Sequence, residues 1–249
     1  MVAPVLDAQG SFATFAEAFP AADEDSARVR YPDLFDGPQW QLPFRAFLAG
    51  PTVLVDAGVG KPSGLVPGAQ GWLPGELDPE AIQVVILTHV HVDHVGWTVD
   101  AEARPFFPRA RYVVCEDDWR WAESRAVFAD KLEPLQRAGV VELVPAKEAE
   151  VAPGVSVVPA PGHTPGHMCV RAGETVILGD LAVHPAQIDD PQLAFMFDED
   201  PLQATASRVA LLDELADTGS RVAVGHFPDA FGTVARAGNG FEWRPGSRL

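Results

Sequence analysis

Residues 83–94 place an unbroken apolar run directly before a cluster of histidines: Gln83-Val84-Val85-Ile86-Leu87-Thr88-His89-Val90-His91-Val92-Asp93-His94. A short apolar run bounded by polar residues is typical of a strand buried on both faces. If the extended backbone continues into the motif, His89, His91 and Asp93 point to the same side. Imidazole and carboxylate groups are normal ligands of zinc and related ions. The stretch therefore predicts a buried strand that ends in a metal site.

Three later positions offer further ligands. His163 lies in the turn-rich run Pro161-Gly162-His163-Thr164-Pro165-Gly166-His167, while Asp180 and His226 each end an apolar strand after a glycine. Taken alone, a residue that ends a strand is more often a cap or turn former than a ligand. The nearby histidine cluster favours a ligand role for these residues, because a cation bound by the cluster needs further donors from other parts of the chain. For His167 we favour a role in supporting the site over direct ligation.

Strands and helices alternate around this motif. Hairpins are predicted at 44–56 and 169–180, single strands at 111–115, 140–144, 155–159 and 222–226, and helices at 116–138 and 201–217. Strands clustered in each half, with helices between them, predict an α/β protein with two sheets covered by helices. We expect one domain over residues 1–249, in which residues 1–43 form an irregular N-terminal segment.

Composition excludes several classes of protein. The net charge of −17, with only three lysines, argues against a nucleic-acid partner, since neutralising phosphates needs clustered cations. Cys115 and Cys169 form no disulfide framework, and neither an apolar leader nor a membrane-spanning run is evident. We therefore expect a cytoplasmic protein with a small-molecule substrate and no nucleic-acid or membrane partner. A homodimer is compatible with the sequence.

The ordered set His89-x-His91-x-Asp93-His94, Gly162-His163, Gly179-Asp180 and Gly225-His226 resembles the metallo-β-lactamase superfamily from about residue 44 to 230. The resemblance implies an αββα sandwich of two mixed sheets flanked by helices, with the site at one edge of the sheets. It also implies two divalent metal ions, zinc first, with manganese, iron and cobalt also suited to the donors. The activity implied is that of a dinuclear metal-dependent hydrolase.

The same resemblance assigns the ligands residue by residue. The first metal would be held by His89, His91 and His163, and the second by Asp93, His94 and His226, with Asp180 bridging them. Asp56, in Asp56-Ala57-Gly58, would support the metal-site histidines. Asp93 and Asp180 would be the catalytic carboxylates, the former also passing a proton to the leaving group, while a hydroxide bridging the two metals attacks the substrate.

Within the superfamily, three segments look like the group that contains quorum-quenching lactonases and methyl parathion hydrolase: 179–187, 225–228 and 240–245. The substrate would be a small, partly apolar ester, lactone or phosphotriester. The chain is nearer the phosphotriesterase-like members, since it lacks the tyrosine that lactonases usually place after the bridging aspartate. A glyoxalase II-like thioesterase and a mononuclear-iron sulfur dioxygenase remain as alternatives.

Four side chains outside the ligand set are of interest for the substrate or the surroundings of the metals. Trp72 and Phe195 lie in long predicted loops and are candidates for the wall of an apolar pocket, although core packing is the commoner role of an aromatic. His184 is a candidate for a hydrogen bond to substrate or to the metal surroundings, with a surface histidine as the equal alternative. Asp56 is the fourth.

Overall fold

The computed structural model describes residues 1–11, 13–61 and 71–246. Within these ranges the strands are β1 (Val2–Gly10), β2 (Phe35–Asp36), β3 (Gln39–Trp40), β4 (Leu42–Ala49), β5 (Val53–Val55), β6 (Val84–Ile86), β7 (Arg111–Cys115), β8 (Val141–Val144), β9 (Ala149–Ala152), β10 (Val155–Pro159), β11 (Met168–Ala172), β12 (Thr175–Ile177), β13 (Arg221–Ala223), β14 (Phe231–Ala237) and β15 (Gly240–Pro245).

The α-helices of the same ranges are α1 (Phe15–Ala18), α2 (Glu24–Arg30), α3 (Leu73–Glu76), α4 (Glu116–Ala122), α5 (Glu133–Ala138), α6 (Ala186–Asp189) and α7 (Pro201–Thr218). Short 3₁₀ turns occupy Pro32–Leu34, Pro79–Ala81 and Gly179–Leu181, and a π-helical segment, Phe128–Leu132, leads into α5. Helix α5 ends at Gly139 and α7 at Gly219, both with left-handed backbone, which closes a helix without the steric cost that a side chain would add.

Two mixed sheets are built from these strands. Among the described residues, six strands form the first sheet in the order β1-β4-β5-β6-β7-β8, and seven form the second in the order β15-β14-β13-β12-β11-β10-β9. Strands β5 to β8 run parallel, as do β12 and β13, whereas the remaining neighbours are antiparallel. Strands β2 and β3 form a separate small ribbon.

Alternation within the strands explains the layers. In β6, Val84 and Ile86 face the core between the two sheets, while Val85 faces the outer core that α4 and α5 cover. The outer face of the second sheet packs on α7 through Leu211, Leu212 and Leu215. Both faces of the central strands are therefore buried, which is why their sequences read as continuous apolar runs. The αββα sandwich expected from the sequence is confirmed.

Three local predictions are wrong. The helix expected over 116–138 is interrupted: α4 ends at Ala122, and turns at residues 123–125 separate it from the π-helical segment that leads into α5. Residues 2–10, expected to be irregular, form β1, which pairs along its length with β4 and lies at the edge of the first sheet. The His motif does not continue its strand: β6 ends at Ile86, and residues 87–98 form a loop with turns. The motif therefore folds back on itself instead of alternating faces, since a strand could not bring both of its ends to one centre.

No helix of the described ranges is both long and apolar enough to cross a bilayer.

Candidate metal centre

The predicted ligands meet where strands of both sheets end. His89 to His94 follow β6, Asp180 follows β12, and His226 follows β13, while His163 lies in the loop between β10 and β11. Neighbouring parallel strands end at the same edge of a sheet, so β12 and β13 bring Asp180 and His226 together. The side chains of His89, His94, His163, Asp180 and His226 are buried.

Three groups of three donors form at this edge; two of them share no residue, and the third, made of His89, His94 and Asp180, overlaps the first and second at one histidine each. His89, His91 and His163 make the first group, and Asp93, His94 and His226 make the second, with the donor atoms of each group within 4.8 Å of one another. In the first, Nδ1 of His91 lies 2.9 Å from Nε2 of His163. In the second, Nε2 of His94 lies 3.6 Å from a carboxylate oxygen of Asp93. The loop thus divides its four donors between two points.

Asp180 lies between the groups and faces each with a different oxygen. Oδ2 is 3.3 Å from Nε2 of His163 and 3.8 Å from Nε2 of His89, whereas Oδ1 is 3.3 Å from Nε2 of His94 and 3.2 Å from Nε2 of His226. The preceding Gly179 has a φ of +55°, and a Cβ there would lie 2.7 Å from Nε2 of His167. Only glycine lets the chain approach the site this closely.

Hydrogen bonds on the far side of each ring fix which nitrogen faces the centre. Nδ1 of His163 donates to Asp198, and Nδ1 of His226 donates to the carbonyl of Pro43 at 2.9 Å. Nδ1 of His94 donates to Asp56 at 2.8 Å. Since each Nδ1 donates its proton away from the centre, Nε2 is the nitrogen of each ring that faces the centre and can serve as a metal ligand.

The donor set fits divalent cations. Within the described residues, Nε2 of His89, Nε2 of His94 and Oδ1 of Asp180 are buried and have no hydrogen-bond partner. Several lone pairs that face one another in a buried centre repel and lack the solvation they would have in water, so leaving them unpaired is costly. A cation at each group would satisfy them, and nitrogen and oxygen donors suit zinc, manganese, iron or cobalt.

The charges of the centre shift its proton affinities in opposite directions. Burial lowers the pKa of His91 to about 4 and that of His89 well below its usual value. Burial would also lower the pKa of His94 and His163, but the neighbouring carboxylates, above all Asp180, outweigh it. They raise the pKa of His163 to about 9 and that of His94 well above its ordinary range. The carboxyl of Asp180 keeps its charge because the imidazoles around it outweigh the burial that would raise its pKa.

Three buried side chains hold the loops in place. Asp56, at a φ of +62°, accepts from the backbone N–H of Thr88 at 2.8 Å in addition to His94. His167 accepts from the backbone N–H of Asp180 at 3.0 Å and donates to the carbonyl of Ala160. Asp118 accepts from the N–H of Val90 at 3.2 Å. It also accepts from the loop that carries His163, through the hydroxyl of Thr164 and the backbone N–H of Gly166. Burial raises the pKa of Asp118 to about 6.

Four residues around the site were not predicted from the sequence: Asp118, Asp198, Arg45, which binds the carbonyls of Phe227 and Pro228, and Arg208, which binds Asp198 and the carbonyl of Leu181. Arg45 and Arg208 did carry a signal, since each is a charged residue in an otherwise apolar strand or helix face. Asp118 and Asp198 carried none, because each lies in an acidic run that reads as solvated surface. The residues of the ligand loops that they bind are 28 to 48 positions away in the chain, so no local pattern marks this role.

A cavity of 330 Å³ opens beside the two donor groups. His91, Asp93, Asp180 and His226 form its polar end, and the rest of the wall is almost entirely apolar: Trp40, Leu42, Phe44, Val90, Val92, Trp121, Ala126, Val127, Val183, Phe195 and Phe197, with Arg125 as the cation among its described lining residues. Phe195 is stacked on the ring of His163 with 6.0 Å between ring centres. Such a cavity suits a small molecule with an apolar part.

Trp72 and His184 lie elsewhere. Trp72 is 43% exposed and does not belong to the described lining of the cavity. His184 is completely buried, so a surface position for it is wrong. Its ring packs against those of Phe15, Tyr31 and Trp40, and its Nδ1 accepts from the N–H of Ala186 at 3.0 Å. It belongs to the aromatic core of the N-terminal segment rather than to the ligand groups.

Sequence comparison assigns this architecture to a known class. The profile of the metallo-beta-lactamase superfamily matches residues 47–226, a stretch that holds every member of both donor groups. The chain therefore belongs to the metallo-beta-lactamase superfamily. A curated relative, YobT of Bacillus subtilis (strain 168), is 31% identical over 109 residues, which cover 40% of this chain and 46% of that protein. The match thus spans about half the length of this relative.

Solved structures share the fold at low sequence identity. AidC, a dizinc quorum-quenching lactonase in complex with a product, has a TM-score of 0.82 at 20% identity and covers 100% of this chain and 95% of its own. The hydrolase AbOPH of the beta lactamase superfamily has a TM-score of 0.84 at 22% identity, and the match covers 100% of this chain and 94% of that protein. A probable metal-dependent hydrolase from Staphylococcus aureus has a TM-score of 0.83 at 17% identity, and the match covers 100% of this chain and 98% of that protein. These likenesses extend over the whole chain, including the strand β1.

Proposed function

We propose that this protein is a dinuclear metal-dependent hydrolase that cleaves an ester or lactone bond in a small substrate with an apolar group. The observation that carries the proposal is the position of Asp180, whose Oδ2 faces His89 and His163 and whose Oδ1 faces His94 and His226. A carboxylate with its two oxygens divided between two donor groups is suited to bridge two ions. We also propose that residues 1–249 act as one domain.

The first ion would be held by His89, His91 and His163, and the second by Asp93, His94 and His226. Divalent ions at such a site supply Lewis acidity and lower the pKa of water toward 7, so that no separate nucleophilic side chain is needed. Asp56 and Asp198 hold the ligand imidazoles in the tautomer that leaves Nε2 free. Asp93 lines the cavity and is suited to pass a proton to the leaving alkoxide.

The cavity supports an apolar acyl or alkyl group as the recognised part of the substrate. Its walls are aromatic and aliphatic, and they begin directly at the ligands His91, Asp93 and His226. Burying such a group contributes about 0.8 kcal/mol for each methylene. AidC, whose fold is shared, is described with N-hexanoyl-homoserine as product, which is consistent with an acyl chain beside a dizinc site. A phosphotriester is the second bond type that the same site would accept, in keeping with the likeness to AbOPH.

A thioesterase for glutathione conjugates is less well supported. Its substrate carries carboxylates, and Arg125 is the single cation among the described residues that line the cavity. The guanidinium of Arg125 is already stacked on Trp121 at 3.8 Å and lies 3.4 Å from Glu199. A sulfur dioxygenase would use one iron and would leave the second donor group without a role.

The proposal is tested by metal analysis and a substrate panel. Purified protein loaded with zinc, manganese or cobalt is analysed for bound metal and assayed with lactones, aryl esters, thioesters and phosphotriesters. We expect about two ions per chain and turnover of lactones or esters. Losing a residue that only supports a ligand typically lowers activity roughly 10–100-fold, and we expect Asp180→Asn to lower turnover by more than that. Asp190→Asn, which removes a carboxylate that caps an exposed turn, is the matched control.

One ion per chain at saturation would contradict the dinuclear centre. Turnover of a persulfide with consumption of oxygen, and of no ester or lactone, would replace the hydrolase by the iron enzyme.

A further inference from the structure

A buried ion pair lies beneath the first donor group. The side chains of Asp198 and Arg208 are each 1% exposed, and Nη2 of Arg208 is 3.6 Å from Oδ2 of Asp198. Removing two charges from water costs several kcal/mol for each ion, and their attraction offsets this only when further hydrogen bonds satisfy both groups. A pair of this kind is weak evidence for stability alone, so its other partners indicate what it does.

The carboxylate of Asp198 connects a ligand with the cavity. Its Oδ1 accepts from Nδ1 of His163 at 3.0 Å, and its Oδ2 accepts from the backbone N–H of Phe195 at 3.0 Å. The ring of Phe195, which lines the cavity, is stacked on the imidazole of His163 at an interplanar angle of 19°. One side chain therefore fixes both the orientation of His163 and the backbone of a residue in the substrate wall.

Arg208 anchors this carboxylate to helix α7 and to the segment after Asp180. Its Nε donates to the carbonyl of Leu181 at 2.7 Å, and its Nη1 donates to the carbonyls of Pro191 and Leu193 at 2.8 and 3.0 Å. Leu181 directly follows Asp180, and residues 191–193 lead to Phe195. A planar guanidinium with several donors can hold three carbonyls of two backbone segments at fixed spacing, which the single ammonium of lysine cannot.

We propose that Asp198, held by Arg208, is a positioning residue that couples the orientation of His163 to the shape of the apolar cavity at Phe195. This inference rests on the proposed function, because it takes His163 as a metal ligand and the cavity as the substrate site. Loss of the carboxylate then weakens metal binding and alters the preference for the apolar group of the substrate together. A pair that served only stability would change neither one in the folded enzyme.

The test uses Asp198→Asn. The amide has the shape of the carboxylate, but it carries no charge and one of its two ends is an NH₂ group that cannot accept. The variant therefore loses one of the two hydrogen bonds together with the ion pair to Arg208 that holds this side chain, so that both His163 and Phe195 are affected. The matched control is Asp200→Asn in the same acidic segment. Asp200 caps α7 by accepting from the N–H of Gln203 at 3.0 Å, and asparagine is an equally good cap. Both variants remove one charge.

The first readout is zinc affinity, measured by competition with a chromophoric chelator. We expect zinc to bind Asp198→Asn roughly 10–100-fold more weakly than wild type, and Asp200→Asn with unchanged affinity. The second readout is kcat/KM at saturating zinc for aryl esters from butanoate to decanoate. We expect the chain-length profile of Asp198→Asn to flatten while that of Asp200→Asn follows wild type.

Zinc affinity equal to wild type in Asp198→Asn, with only a lower melting temperature, would overturn the inference. So would weaker zinc binding with an unchanged chain-length profile, because the two effects would then be uncoupled. If wild type binds zinc but hydrolyses no ester in the series, the proposed function fails. The zinc affinities of the two variants still test whether Asp198 orients His163. Should Asp198→Asn not fold, Arg208→Lys keeps the charge, loses the fork of donors, and is expected to show both effects at smaller size.

Discussion

Arg45 braces His226 from both sides. Its Nη1 lies 3.3 Å from the carbonyl oxygen of Gly225 and 2.5 Å from that of Phe227, the two residues that flank the histidine in the chain. Nη2 donates to the carbonyl of Pro228 at 2.9 Å. Since Nδ1 of His226 also donates to the carbonyl of Pro43, strand β4 of the first sheet fixes a proposed ligand that follows a strand of the second sheet. The two sheets are thereby joined at the metal centre.

Replacing Arg45 by methionine should weaken the second of the two metal ions selectively. Methionine keeps much of the buried apolar stem but leaves three carbonyls without their donor, so the turn that carries His226 loses its fixed position. We expect one ion to bind about 10–100-fold more weakly, with the other unchanged. Stepwise zinc titration measures this. Arg221→Met serves as the control, because Arg221 lines the same surface cleft as Arg45 but stacks on Phe231. Equal loss in both variants would refute the role of Arg45.

Metal binding should stabilise the fold. The centre holds three buried donor atoms without hydrogen-bond partners among the described residues, and an ion bound only by the folded chain adds about 2.7 kcal/mol at a concentration of 100 times its Kd. For a chain of this size that corresponds to a rise in melting temperature of roughly 5–10 °C per ion. Calorimetry of stripped and zinc-loaded protein measures the rise. Identical melting temperatures would mean that the donors hold no ion.

Filling the cavity should shorten the acyl chain that the enzyme accepts. Val127 lines the cavity, and phenylalanine in its place adds a ring to the cavity wall. We expect kcat/KM to fall by about tenfold or more for long acyl esters, and to stay near wild type for acetate, because each excluded methylene forgoes about 0.8 kcal/mol of burial. Val29→Phe, at a position 86% exposed, is the control. A parallel loss for short and long esters would indicate damage to the centre instead.

Acid should destabilise the metal-free protein partly through His184. Burial lowers the pKa of His184 to about 3, compared with 6.5 for an exposed histidine. The unfolded chain therefore binds the proton more readily, so the stabilising contribution is complete above pH 6.5 and is lost as the pH falls toward 3, by up to about 1.4 kcal/mol per pH unit. The ring faces Phe15, Tyr31 and Trp40, and among the residues that the structure describes no carboxylate offsets its burial.

His184→Asn isolates this contribution, because the amide oxygen can still accept from the N–H of Ala186 but does not titrate. Both proteins are stripped of metal and unfolded in urea at pH 7.5 and 5.5. We expect the variant to lose about 1.4 kcal/mol less than wild type between these values. An equal loss in the two proteins would show that His184 is not held neutral.

Part of the fold could be read from local pattern. The apolar run 84–87 between polar neighbours predicted a strand buried on both faces, and Gly139 predicted the end of the helical stretch before it. Strand β1 was missed, since Val2-Ala3-Pro4-Val5-Leu6-Asp7 mixes polar and small residues with the apolar ones. Its strand character comes from the hydrogen bonds of β4, which no short window of sequence contains.

What the sequence alone determined is the chemistry of the centre: the spacing His89-x-His91-x-Asp93-His94, with Asp180 and His226 at strand ends, leaves little else that such donors could do. Tertiary structure decided how they are divided and held. The turn after β6 splits the motif between two groups, and Asp118, Asp198, Arg45 and Arg208 orient the loops. Donor identity is a property of each residue, whereas orientation depends on hydrogen bonds between residues as far as 183 positions apart.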